Sequence, residues 1–213
     1  LLNDDIYHNG KIMCLENEDI NDIPSFGTAI SKINREVMLK AEGGQTTAVI
    51  AKLNGDKLLF ASVGDSRLYL EHDGEVKQIT KDDAVTDEML DRAEIHDERE
   101  RKNYRDHGIS KALGMFAGDR ISRGNLGEIS VESGDRIVLC SDGVTGDIPE
   151  DQMSNEEISK ILAEFSSDED AAENLVRKSK KIDDRTAIVV TIEGKAEEKE
   201  EVKDLLIGDE VYG

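Results

Sequence analysis

Two cysteines in 213 residues, Cys14 and Cys140, are too few for a disulfide framework. Cys140 lies in an apolar run and is expected to be a small buried hydrophobe. The sequence has no secretory leader and no apolar run long enough to span a membrane, which points to the cytoplasm and away from membranes. Basic residues are short as well. The chain holds 27 Lys and Arg against 48 Asp and Glu, a formal net charge of -21. A surface of that sign repels phosphate backbones and anionic lipids, so nucleic acid is not an expected partner. Most of these carboxylates serve solubility, but an acidic surface is also compatible with attracting divalent cations. The first position lacks methionine. The opening LLNDD carries no start signal and reads as the beginning of a fragment.

Hydrophobic residues make up 37% of the chain and are clustered, as in one folded domain with a heavily charged surface. After a polar opening and Pro24, the residues Phe26, Ala29, Ile30, Ile33, Val37, Met38 and Ala41 fall on one face of a helix that Gly43-Gly44 ends. From Gln45 the period changes to that of strands. Asn54-Gly55 and Asp73-Gly74 are hairpin signals, and residues 46–79 read as one antiparallel meander. Polar helices are expected over Thr86–Ile95 and Glu98–Asp106, and short strands over Ile109–Leu113, Leu126–Val131 and Arg136–Cys140. Two amphipathic helices follow, Asn155–Phe165 and Asp168–Lys180. Ser154 and Glu157 form a capping-box pair for the first of them. The last strand is Thr186–Ile192. Residues 1–194 form the expected domain, and 195–213 a charged, solvated tail.

Three aspartates occupy similar places. Asp65 follows the strand KLLFASV, Asp142 follows RIVLC, and Asp183 precedes TAIVV. Asp in a turn is common because its side chain caps the backbone, and spacing alone leaves that reading open. If the strand ends converge, however, three anions share one cleft, where either their protons return or cations neutralise them. An oxygen-only set of this kind suits Mg2+ or Mn2+. Two such ions can activate water and clamp a phosphoryl oxygen. The four histidines show no paired ligand spacing and read as surface residues.

Four motifs then occur in order: Gly43-Gly44-Gln45-Thr46-Thr47, Gly64-Asp65-Ser66-Arg67, Ser141-Asp142-Gly143-Val144-Thr145 and Asp183-Asp184-Arg185-Thr186. Together they resemble the metal-dependent protein serine/threonine phosphatases of the PP2C (PPM) family. The segments Ile79–Val85 and Ser110–Gly114 are similar to later parts of the family pattern. The resemblance covers roughly residues 23–194. It implies an α+β fold, a four-layer α-β-β-α sandwich of two antiparallel sheets flanked by helices. It also implies hydrolysis of phosphoserine and phosphothreonine in proteins by metal-activated water, with two catalytic Mn2+ or Mg2+ ions and a third, weaker site. Position by position, Asp142 and Asp183 match ligands of the second catalytic ion, and Asp65 matches a ligand of the third. Gly143 matches the glycine that turns the backbone beside the metals, and residues 82–111 match a variable flap. The implied partners are a phosphorylated protein and a cognate Ser/Thr kinase, with the phosphatase acting as a monomer in signalling.

The departures are as specific as the matches. The family's first acidic strand, with its phosphate-binding arginine, and its Asp-Gly-x-Gly-Gly turn are absent from these 213 residues. Asn17-Glu18-Asp19 is too close to Gly43 to replace them. Gly146 stands where the family places a second aspartate, with Asp147 one position later. Two explanations follow: a fragment whose N-terminal strands are missing, or a pseudophosphatase that binds partners without turnover. The non-methionine start and the retained aspartates favour the first. Either way, weak or no activity is expected from this stretch alone.

Overall fold

The computed structural model describes residues 21–115 and 125–194. The polar opening, with Cys14 and the Asn17-Glu18-Asp19 stretch, and the tail expected over 195–213 lie outside the described residues.

Helix α1 (Ile23–Lys40) starts where the sequence places it. The Asp22 side chain accepts from the Ser25 amide at 2.8 Å, and Pro24 occupies the first turn, where no amide donor is needed. Phe26, Ala29 and Ile30 form the buried face. Met38, expected on that face, is exposed. Asn34 is buried instead, and its side-chain oxygen accepts from the Gly114 amide at 2.8 Å. The polar side chain is tolerated inside because it ties the helix to a neighbouring loop.

Among the described residues the strands are β1 (Ala48–Asn54), β2 (Lys57–Val63), β3 (Arg67–His72), β4 (Glu75–Gln78), β5 (Asn125–Ser130), β6 (Arg136–Cys140) and β7 (Ala187–Thr191). They form two antiparallel sheets, ordered β1-β2-β5 and β4-β3-β6-β7. The expected single meander is therefore incorrect. Its two hairpins belong to different sheets, and the chain crosses between them at Gly64-Asp65-Ser66. Gly64 permits the crossing. Its φ is +100°, and a Cβ there would stand 2.4 Å from the Thr47 side chain. The β3–β4 hairpin closes through Asp73 and Gly74, both at positive φ, as a two-residue turn requires. The β1–β2 turn is Gly55-Asp56, one residue later than expected. The strand expected at Ile109–Leu113 is reduced to isolated bridges, Ala84 to Ile109 and Thr46 to Leu113.

The helices α2 (Asp87–Arg92), α3 (Glu98–His107), α4 (Asp142–Thr145), α5 (Asn155–Glu164) and α6 (Asp168–Lys178) complete the described elements. Helices α2 and α3 have few apolar anchors. Arg101 joins them instead, bonding to Asp91 at 2.8 Å, the Ile95 carbonyl at 2.8 Å and Asp87 at 2.9 Å. The capping box at Ser154 and Glu157 opens α5 as the sequence indicates.

Packing defines the layers. Phe26, Ala29 and Ile30 of α1 meet Leu59, Ala61 and Val63 on one face of β2. Leu58 of β2 meets Leu68 and Ile137 between the two sheets. Tyr69, Val138 and Val189 on the far face of the second sheet meet Ile158, Ile161, Leu162 and Leu175 of α5 and α6. The order is helix, sheet, sheet, helices. This is the four-layer sandwich, and alternate residues of the same strands face opposite layers. No helix among the described residues is long and apolar enough to cross a membrane.

Candidate metal centre

The site forms where the crossing from β2 to β3, the end of β6 and the approach to β7 meet. Asp65 lies in the crossing, held by a second acidic pair. Asp83 accepts from the Gly64 amide at 3.1 Å, returns its own amide to the Gly64 carbonyl at 2.9 Å and takes Lys111 at 2.6 Å. Asp82 receives Arg67 through Nε at 3.0 Å and Nη2 at 2.7 Å. Such forked contacts fix geometry as well as charge. By resemblance Asp82 belongs to a variable flap. In the folded chain Asp82 and Asp83 brace the turn that presents Asp65.

Asp142 opens α4, directly after β6. The main chain here is pressed against the approach to β7. Ser141 donates its amide to the Thr186 carbonyl at 3.0 Å, and its hydroxyl accepts from the Thr186 amide at 3.1 Å. A Cβ on Gly143 would stand 2.0 Å from the Asp184 carbonyl oxygen. Gly143 is thus required for close approach of two backbones, a different reason from the turn that the resemblance implied. Ser179 adds a bond to the Gly143 carbonyl at 2.6 Å. Cys140, just before this turn, is buried, and burial pushes its thiol up to about 12. It is a buried side chain, as expected.

Asp65 and Asp142 do come together. The third carboxylate with them is Asp147, and one oxygen from each of the three lies within 4.8 Å of the others. Asp147 reaches the cluster because Asp151 folds the loop: its carboxylate accepts from the amides of Asp147 and Ile148, both at 3.1 Å. Burial, then the charges of Asp142 and Asp147, raise the Asp65 carboxyl from its ordinary 3.8 to about 6.

Asp183 joins the centre indirectly. Its carboxylate is about half exposed, accepts from the Asp184 amide at 2.8 Å and meets the Lys181 ammonium at 2.9 Å. The same ammonium lies 2.9 Å from Asp147 and is in direct contact with Asp142. Burial opposes the charge on Lys181, but hydrogen bonds to Asp142, Asp147 and Asp183 outweigh it and hold its pKa above the ordinary lysine value. Lys181 in turn holds the Asp183 carboxyl below its usual range, helped by the Asp184 amide. Of the expected residues, then, Asp65 and Asp142 share one cluster with Asp147, and Asp183 is linked to it through a lysine.

The donor set is carboxylate oxygen throughout, the chemistry of hard divalent cations, and a cation of the protein's own already stands against it. The residues fit Mg2+ or Mn2+. Asp147 and Lys181 were missed as members of the site. Asp147 was visible only as a near-miss to the family spacing, and Lys181 as a basic residue two positions before Asp183. His107 reaches Asp147 at 3.2 Å, and His72 reaches Asp135 at 2.6 Å, both from the surface as expected.

With this geometry in place, the comparisons are decisive for the family. A family profile described as protein phosphatase 2C matches residues 26–178. The chain belongs to the protein phosphatase 2C family. Among its relatives, the serine/threonine phosphatase Stp of Listeria monocytogenes is 33% identical over 137 residues, covering 62% of this chain and 52% of the relative. The serine/threonine protein phosphatase PstP of Mycobacterium tuberculosis is 35% identical over 121 residues, covering 57% and 22%. The chain thus spans about half the length of the Listeria relative and less of the mycobacterial one. The crystal structure of M. tuberculosis PstP superposes with a TM-score of 0.59 at 28% identity, over 84% of this chain and 76% of that one. A PstP catalytic domain in complex with two manganese ions superposes at 0.54, again at 28% identity, over 82% and 73%.

Proposed function

We propose that this chain is the metal-binding and substrate-facing part of a protein serine/threonine phosphatase that hydrolyses phosphoserine and phosphothreonine with Mn2+ or Mg2+. The observation that carries the reading is the meeting of Asp65, Asp142 and Asp147, with one oxygen from each within 4.8 Å of the others. In this reading Asp142 and Asp183 hold the second catalytic ion, while Asp65, with Asp147 beside it, holds a third and weaker one. The ions supply an activated water and offset the charge of the phosphoryl group. The chain's own residues position them. Gly143 lets the Asp142 turn close on Asp184, Asp83 fixes the Asp65 turn, and Asp151 fixes Asp147. Because the nucleophile in this reading is a metal-activated water and not a side chain, no phosphoenzyme is expected. The substrate is a phosphoprotein made by a Ser/Thr kinase in a cytoplasmic signalling pathway, and the phosphatase acts as a monomer.

The test is hydrolysis of p-nitrophenyl phosphate and of a phosphothreonine peptide with Mn2+, by a chain carrying all the family motifs and by its Asp142→Asn variant. The reading expects Mn2+-dependent turnover that chelator abolishes and that falls about a hundredfold or more in the variant. Equal turnover in the variant, or turnover without metal, contradicts it.

One observation favours a second reading, a binding domain of the same fold without turnover. Lys181 already pairs with three of the carboxylates. A chain carrying all the family motifs that stays inactive with Mn2+ yet folds normally would support that reading.

A further inference from the structure

We infer that Lys181 is a resident counter-cation of the metal centre, which a divalent ion must displace before it can bind, so that the chain responds to metal only above a raised threshold. The inference rests on the metal reading above and concerns a residue that reading does not use.

Three observations converge on Lys181. Its ammonium touches Asp142 and lies 2.9 Å from both Asp147 and Asp183, so one side chain spans the carboxylate cluster and the aspartate beyond it. The side chain is largely buried, at 14% exposure, although lysine ordinarily extends into water. The carboxylates it bridges come from two chain segments: Asp142 and Asp147 follow β6, and Asp183 precedes β7. Lys181 and Asp183 lie on the same segment, so the lysine reaches from its own segment to the one that follows β6.

The neighbouring Lys180 takes another course. It bonds to the Gln152 carbonyl at 3.1 Å and pairs with Glu157 at 2.9 Å on the surface. Lysine as such does not reach the carboxylate cluster; Lys181 does so because of its position.

The chemistry sets the consequence. The ammonium stands where a divalent ion shared by Asp142, Asp147 and Asp183 would stand, and two cations so close repel each other. Metal binding must break the charge-assisted bonds of Lys181 and swing the side chain out to solvent. The apparent affinity then equals the intrinsic affinity multiplied by the fraction of molecules in which Lys181 is out; if about one in ten is open, the dissociation constant rises about tenfold. Conversely, the metal-free fold gains from the lysine, because without it Asp65, Asp142 and Asp147 face one another uncompensated.

The experiment compares the 213-residue chain with Lys181→Met, which keeps the length and apolar stem, and with Lys181→Gln. Mn2+ affinity is measured from the electron paramagnetic resonance signal of free Mn2+, and thermal stability in EDTA and in excess Mn2+. Both variants are expected to bind Mn2+ about tenfold tighter or more, to melt lower than the parent in EDTA, and to gain more on adding Mn2+. Unchanged affinity, or weaker binding in the variants, overturns the inference and leaves the metal reading standing. Binding by none of the three chains overturns the metal reading and the inference with it. A variant that fails to melt cooperatively in EDTA but folds and binds Mn2+ more tightly when metal is present supports the inference.

Discussion

At Gly143 a single methyl group decides whether two strand ends can meet. Its Cβ would overlap the Asp184 carbonyl, which is backbone and cannot rotate away. Gly143→Ala is expected to cost about 2 kcal/mol or more in urea unfolding, and to weaken Mn2+ binding because Asp142 and Asp183 move apart. An alanine variant with parental stability would show that the two segments have slack. Asp65 gives a second test at this scale. Its folded carboxyl titrates near 6 rather than 3.8, so it holds its proton more tightly folded than unfolded. The stability this contributes is present below 3.8 and is lost as the pH rises through about 6. In EDTA at pH 7.5, Asp65→Asn should therefore melt a few degrees above the parent, with the gap closing toward pH 4. Excess Mn2+ should reverse the order, because the variant loses a ligand. A variant less stable than the parent in EDTA at pH 7.5 would mean that Asp65 is a turn cap before it is a ligand.

Between elements, two ion pairs carry contacts that apolar packing alone does not. Arg136, at the start of β6, bonds to the Leu162 carbonyl at 2.7 Å, the Phe165 carbonyl at 2.9 Å and Asp168 at 2.9 Å. It thus satisfies the C-terminal carbonyls of α5 and joins them to the first turn of α6. Arg136→Met should cost about 3 kcal/mol, since Asp168 and the carbonyls lose their donor in a half-buried setting; denaturant unfolding measures it. The His72–Asp135 pair ties the end of β3 to the turn before β6. The hydrogen bond to Asp135, then the charges of Asp135 and Asp73, raise the imidazole above its ordinary 6.5. Its contribution is complete below 6.5 and lost as the pH rises through the higher folded value. The parent should therefore exceed His72→Gln in melting temperature near pH 6 and converge with it in mildly alkaline buffer. A constant gap across that window would assign the difference to packing.

Much of this element structure is legible from local chemistry. The Ser154–Glu157 box, Pro24 and Asp73-Gly74 depend on a few adjacent residues, and all stand where the sequence puts them. The partition of strands between sheets is not legible in that way. Nothing in Gly64-Asp65-Ser66 reveals that the chain leaves one sheet there; the need for glycine at the crossing comes from Thr47, seventeen positions away. The same holds for the site. Asp65 and Asp142 were visible because each ends an apolar strand. Asp147 depends on a loop closed by Asp151, and Lys181 on the meeting of segments far apart in sequence.

For the whole molecule, the four layers exist to bring those segments together. The outer helices pack through Phe26, Ile30, Ile158 and Leu175, and the sheets meet through Leu58, Leu68 and Ile137. Removing one of the inter-sheet side chains should therefore affect metal binding without touching a ligand. Leu68→Ala is expected to lose about 3 kcal/mol of stability and to weaken Mn2+ binding at temperatures well below its melting point. Retained Mn2+ affinity would show that the local turns alone fix the site. The most direct measurement is anomalous diffraction from a crystal of this chain grown with Mn2+. The expected result is a manganese peak bonded to the Asp142 carboxylate and shared with Asp65, Asp147 or Asp183, with the Lys181 ammonium displaced. A peak elsewhere, with Lys181 still bridging the aspartates at saturating Mn2+, would contradict it.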